Sequence, residues 1–177
     1  SNTDLGQQLT IGSGIEVTGK FAQVTSSFGG GRVINSGLIE SNVAGGQVIV
    51  GGGDSFVTNN GTIRASNGGI MTLDGSWANA GTLAVTTNGE LELGGQFTRS
   101  SIGTMSRSGG KVRVVGEFEN AGGTFTLNAT TGAWGVGAGG RISGGTVAGT
   151  QLLLGEGGTL NGVTVSAPAS VSGGQVL

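Results

Sequence analysis

Gly69-Ile-Met-Thr-Leu-Asp-Gly-Ser-Trp77-Ala-Asn79-Ala-Gly81-Thr82-Leu83 is the first of three related passages. The second is Gly89-Glu-Leu-Glu-Leu-Gly-Gly-Gln-Phe97, which ends in Gly103-Thr104-Met105. The third is Gly110-Lys-Val-Arg-Val-Val-Gly-Glu-Phe118-Glu-Asn120-Ala-Gly-Gly123-Thr124-Phe125. The opening glycines Gly69, Gly89 and Gly110 lie 20 and 21 residues apart, and the aromatics Trp77, Phe97 and Phe118 keep that spacing. Self-similarity near 20 residues is the mark of stacked repeats, in which no unit can bury its apolar face alone.

The phrase extends outward in both directions. Val33-Ile-Asn35-Ser-Gly37-Leu-Ile39 and Asn59-Asn-Gly61-Thr62-Ile63 are earlier copies of its second half, and Gly46-Gln-Val48-Ile-Val50-Gly51 copies its first half. Beyond Thr130, Trp134-Gly-Val136 takes the place of the Leu-x-Leu pair. Gly144-Gly-Thr146-Val147 and Gly157-Gly-Thr159-Leu160 keep the closing element. No shift in composition marks a second domain, so residues 1–177 read as one unit.

Composition agrees with many short strands and many corners. Glycine numbers 41 of 177, proline 1, and charged residues make up 10 %. Without proline or a Gly-X-Y period this is not collagen, and short alternating runs of Val, Leu and Ile argue against disorder. The fold expected is all-β: a single right-handed parallel β-helix, or β-solenoid, of about eight coils of roughly 20 residues each.

Register then assigns inward files. One is Val33, Val57, Trp77, Phe97 and Phe118. A second is Ile39, Ile63, Leu83, Met105 and Phe125. A third, double file is Val48/Val50, Met71/Leu73, Leu91/Leu93 and Val112/Val114. Asn35, Asn59, Asn79 and Asn120 should stack their amides along the axis, with Arg99 interrupting them. The Asn-x-Gly corner is expected to use the left-handed backbone that Asn and Gly tolerate. Glu90 should lie beside Lys111 and Glu92 beside Arg113, both pairs outward, which favours this register over a slip.

The Gly-Gly-x-Leu-x-Leu-x-Gly-x-Phe-x-Asn-x-Gly-Thr-Leu phrase resembles repeats in the passenger regions of Gram-negative autotransporters and filamentous-haemagglutinin-type adhesins. The similarity covers roughly Val33 to Val165, and its motif residues are core and corner residues. The resemblance implies a right-handed parallel β-helix that is secreted, displayed extracellularly at the bacterial cell surface, and used as a stalk or adhesin. Its partners would be surface glycans or proteins of a host or neighbouring cell. At 177 residues the chain is short for a passenger, which suggests an excerpt of a longer rod or a self-stacking subunit joined end to end.

The residues themselves restrict the chemistry. Net charge is −2, which gives no basic field for nucleic acid, and no apolar run approaches the roughly 20 residues of a membrane span. There is no cysteine or histidine, which removes thiolate chemistry and the commonest general base and metal ligand. No catalytic residue, cofactor site or metal site is assigned, and the chain reads as a non-catalytic module.

The competing reading is a carbohydrate-binding or polysaccharide-lyase-type β-helix. It would draw on the densest charged cluster, Glu90, Glu92, Glu117 and Glu119 with Lys111 and Arg113; otherwise the acids are scattered, as at Asp4, Asp54 and Asp74. The aromatic file could be a sugar platform, but its phase with Val33 and Val57 makes it an internal stack. Trp134 is the remaining candidate for a carbohydrate contact, on the expectation that it is exposed. Thr124-Phe-Thr126 is an isolated Thr-x-Thr pair, too little for an ice-binding face. Neither Ser1–Leu9 nor Ala167–Leu177 reads as a capping helix.

Overall fold

A computed structural model describes residues 7–26, 30–155, 157–173 and 175–176. Asp4 and most of the Ser1–Leu9 stretch lie outside the described residues. The chain winds through short strands in a repeating order of three. They are β1 (Gln8–Ile11), β2 (Glu16–Gly19), β3 (Phe21–Val24), β4 (Arg32–Asn35), β5 (Leu38–Ser41) and β6 (Gln47–Asn59). Then come β7 (Thr62–Ala65), β8 (Ile70–Asn79), β9 (Thr82–Thr86), β10 (Glu90–Leu93) and β11 (Gln96–Thr98). A single helical turn, α1 (Arg99–Ile102), precedes β12 (Thr104–Ser108), β13 (Lys111–Val114), β14 (Glu117–Glu119), β15 (Thr124–Leu127) and β16 (Trp134–Val136). The last windings hold β17 (Arg141–Ser143), β18 (Thr146–Gly149), β19 (Leu152–Leu154), β20 (Thr159–Asn161), β21 (Thr164–Ser166), β22 (Ala169–Val171) and β23 (Gln175–Val176).

Every pairing between these strands is parallel and joins equivalent positions of successive windings, so the protein is a β-solenoid with three faces. The first face carries one apolar file through the whole stack: Leu9, Val33, Val57, Trp77, Phe97, Phe118, Ile142, Leu160 and Val176. Its aromatic centre is stacked ring on ring, Trp77 to Phe97 at 4.9 Å and Phe97 to Phe118 at 5.1 Å. The third face carries the double file expected from the sequence and extends it through Trp134/Val136 and Leu152/Leu154. Nearly all of these side chains are buried.

The second face departs from expectation. Val17, Ile39, Ile63, Leu83 and Met105 pair in order, but the ladder stops at β12 and a separate one starts at β15. Met105 and Phe125 are therefore not partners. An inserted turn and a long side chain explain the seam. Helix α1 adds a turn between β11 and β12, and its Arg99 guanidinium lies where a side chain on Gly123 would stand. Arg107 then spans the gap, donating to the carbonyl oxygens of Gly109, Gly110 and Ala133. Phe125 turns inward against Phe118 and Trp134 instead, at 5.1 and 4.7 Å.

The asparagine file is present in its N-terminal part. Asn35 Nδ2 donates to Asn59 Oδ1 at 2.7 Å, and Asn59 Nδ2 to Asn79 Oδ1 at 2.6 Å. Where Arg99 interrupts it, Asn79 donates to the Ile102 carbonyl and Arg99 donates to Asn120 Oδ1. The expected left-handed backbone is not the reason for the glycines of the three N-terminal corners. Gly61 does not have positive φ; rather, a Cβ there would stand 2.2 Å from the Gly37 carbonyl oxygen one winding below. Close approach between stacked corners selects glycine. The left-handed asparagines are Asn67 and Asn88, at φ 50° and 58°, in the turns that lead into the third face.

Candidate functional site

Trp134 does not offer a surface contact. It is 1 % exposed and occupies an inward rung of the third face between Val112 and Leu152, as the successor of the Leu-x-Leu pair. Its Nε1 has no acceptor among the described residues, whereas Trp77 Nε1 donates to the Gly94 carbonyl at 2.9 Å. A sugar could reach the Trp134 ring only by opening the stack. Trp77, Phe97 and Phe118 are likewise interior, each no more than 3 % exposed.

The charged cluster separates into two groups. Glu90, Glu92, Lys111 and Arg113 project from the third face in the expected register, Glu90 beside Lys111 and Glu92 beside Arg113. The shorter ion pair is diagonal, however. Arg113 Nη1 reaches Glu90 Oε1 at 2.8 Å and Glu92 Oε1 at 3.6 Å, while Lys111 makes no ion pair among the described residues. Glu92 is held from the other side by the Thr72 hydroxyl at 2.9 Å, which in turn accepts from Gln47. Glu117 and Glu119 sit around the corner on the first face. There Glu117 accepts from the Ser143 hydroxyl and lies 3.8 Å from Arg141 Nε. No three Asp or Glu residues among the described ones gather into a possible cation site.

The most developed polar constellation is one the sequence reading did not single out. Glu40, on β5, is 7 % exposed and accepts two hydrogen bonds from Arg64 on β7, at 2.6 and 2.9 Å, and one from the Ser66 hydroxyl at 2.7 Å. The bidentate Arg64 hydrogen bonds are the main cause that lowers the Glu40 pKa, against the opposing effect of burial. Arg64 is raised in turn, chiefly by the same contact. The detectable signal was the register itself, since the ladder that pairs Ile39 with Ile63 places Glu40 beside Arg64.

A groove of about 400 Å³ crosses the third face. Its floor is Gly135 and Gly137, and its walls include Arg107, Lys111, Arg113 and Leu153. Gly135 pairs with Arg113 on one side and Leu153 on the other, so the depression lies where an outward file loses its side chain for one winding. The Thr124-Phe-Thr126 pair recurs only in its first member. Thr124 is followed in register by Thr146 and Thr164, but Thr126 by Ala148 and Ser166.

No protein-family profile, no curated protein and no solved structure matches this chain. No helix among the described residues is long and apolar enough to cross a membrane.

Proposed function

We propose that this chain is a non-catalytic structural or adhesive rod segment of a bacterial surface or secreted protein, of the kind its repeats resemble. One observation carries the reading: four of the ten acidic side chains, those of the densest cluster's Glu90, Glu92 and Glu117 together with Glu40, are engaged along the axis in holding neighbouring windings together. Glu40 is held by Arg64, Glu90 and Glu92 by Arg113, and Glu117 by Arg141 and Ser143. A general acid or base must instead be free to meet a substrate, with a pKa tuned toward the working pH. The Glu40 pKa moves the other way, lowered chiefly by its hydrogen bonds from Arg64.

The test has two arms. Purified protein incubated with polygalacturonate, alginate and hyaluronan is expected to release neither new reducing ends nor unsaturated products absorbing in the ultraviolet. Beads coated with the protein are expected to adhere to cultured cells or to each other more than beads coated with an unrelated β-rich protein. Sustained polysaccharide cleavage that tracks the protein through purification would overturn the non-catalytic reading. Coated beads indistinguishable from the control would confine the role to a passive spacer.

A further inference from the structure

Three of the eight basic residues in the chain, Arg107, Lys111 and Arg113, line one groove, whose lining includes no acidic side chain among the described residues. The groove follows from the stacking. Outward positions of β13 carry Lys111 and Arg113, the next winding has only Ala133, Gly135 and Gly137 at and around β16, and β19 then presents Leu153, 41 % exposed. Two long cationic side chains and one apolar one thus frame a floor of bare backbone. The volume of about 400 Å³ falls within the range of small-molecule sites.

The cations are not equivalent. Arg107 is committed to backbone carbonyls, those of Gly109 and Gly110 beside it and that of Ala133 across the seam. Arg113 is anchored through Nη1 to Glu90 and Glu92, so its guanidinium is held in place before any ligand arrives. Its Nη2 lies against the groove floor, where a Cβ on Gly137 would come within 2.2 Å of it. Among the described residues, Arg113 Nε and Nη2 donate to nothing, and Lys111 has no ion pair. Among the described residues, the three cations set against Glu90 and Glu92 leave a local surplus of one positive charge.

We propose that this groove binds a small organic monoanion: a carboxylate attached to a body about one ring in size. The carboxylate would accept from the free Nε/Nη2 edge of Arg113 and from Lys111. The planar guanidinium edge matches the two oxygens of a carboxylate. The body would lie over Gly135 and against Leu153. A single surplus charge and a mostly apolar lining disfavour a dianionic phosphate, whose desolvation would go uncompensated. An aryl or alkyl acid and a uronic acid residue of a glycan both carry this chemistry. The inference does not depend on the rod being adhesive.

Two-dimensional amide NMR of the 15N-labelled chain at low ionic strength tests it, with phenylacetate, glucuronate, benzyl alcohol and inorganic phosphate as probes. Phenylacetate, glucuronate or both should shift the Gly135, Gly137 and Gly155 amides saturably, and the tighter of the two identifies the body as hydrocarbon or sugar. Benzyl alcohol and phosphate should bind about tenfold more weakly or not at all, as expected when a charge-assisted hydrogen bond or the apolar contact is missing. Lys111→Gln, at an exposed position, should weaken carboxylate binding about tenfold with the rest of the spectrum unchanged. Gly135→Val should abolish it by filling the floor; the new Cβ presses on the flexible Arg113 side chain at 3.2 Å and makes ordinary contact with the Val112 and Leu153 carbonyl oxygens at 3.7 and 4.0 Å. No saturable shift from either carboxylate would overturn the proposal. So would equal binding of benzyl alcohol or phosphate, or unaltered binding by either folded variant.

Discussion

The second face is built in two ways, and the seam between β12 and β15 divides them. On the N-terminal side, β2, β5, β7, β9 and β12 form one ladder, and polar side chains reinforce its register: the Asn35–Asn59–Asn79 amide file and the Glu40–Arg64–Ser66 cluster. On the C-terminal side one buried amide, that of Asn120, donates to the Gly144 and Thr146 carbonyls of the next winding. Otherwise β15, β18 and β21 are aligned by backbone bonds, the Phe125–Val147–Val165 file and an outward row of threonines, Thr124, Thr146 and Thr164. Buried amides tie each winding to its neighbour by directional bonds, whereas an apolar file resists a one-residue slip only by keeping its side chains on the inward face. The contrast teaches that a solenoid can change how it keeps register partway along. It remains one stack because the first and third faces run across the seam.

The largest expected effect tests that bridging. Phe97→Ala removes the middle ring of the Trp77–Phe97–Phe118 stack beside the seam and should destabilise the chain by about 3–5 kcal/mol. It should also split denaturant unfolding into two resolved transitions, followed by tryptophan fluorescence and circular dichroism, because Trp77 and Trp134 lie in windings on opposite sides of the seam. A single transition in the variant would mean that the halves are not separable.

Next is Asn59→Ala, which orphans an amide donor of Asn35 and the acceptor of Asn79 in the buried file. The cost should be about 2–3 kcal/mol, one buried unsatisfied pair. Hydrogen exchange should accelerate around β5, β7 and β9 while amides of β18 and β21 stay protected. Equal acceleration on both sides would erase the distinction between them.

The smallest effect is a pH dependence confined to the N-terminal side. Glu40 has a folded pKa below its ordinary 4.5, so its contribution is present above that value and is lost as pH falls through the folded pKa. Unfolding midpoints should drop on acidification below about 4.5, and Glu40→Gln should remove part of that drop, about 1 kcal/mol or less. A variant as acid-sensitive as the parent protein would assign the dependence to other carboxylates.

The repeat made much of this legible beforehand. A period near 20 requires stacking, and stacking in register places Val57, Trp77 and Phe97 on one another and Glu92 beside Arg113. Those outcomes depend only on chain spacing and the two-residue alternation of strands, both written in the sequence. Other features depended on three-dimensional choices that spacing does not contain. Arg113 reaches diagonally to Glu90 because a long side chain selects among neighbours by rotamer, not by register. Trp134 is interior because the winding that holds it closes around the ring, although its alignment with Leu91 and Val112 was visible. The break at β12 arises from how α1 and two arginines fill space, and the groove over Gly135 exists only once Arg113 and Leu153 flank it. Periodicity determines which residues become neighbours along the axis; packing decides what those neighbours do with the space between them.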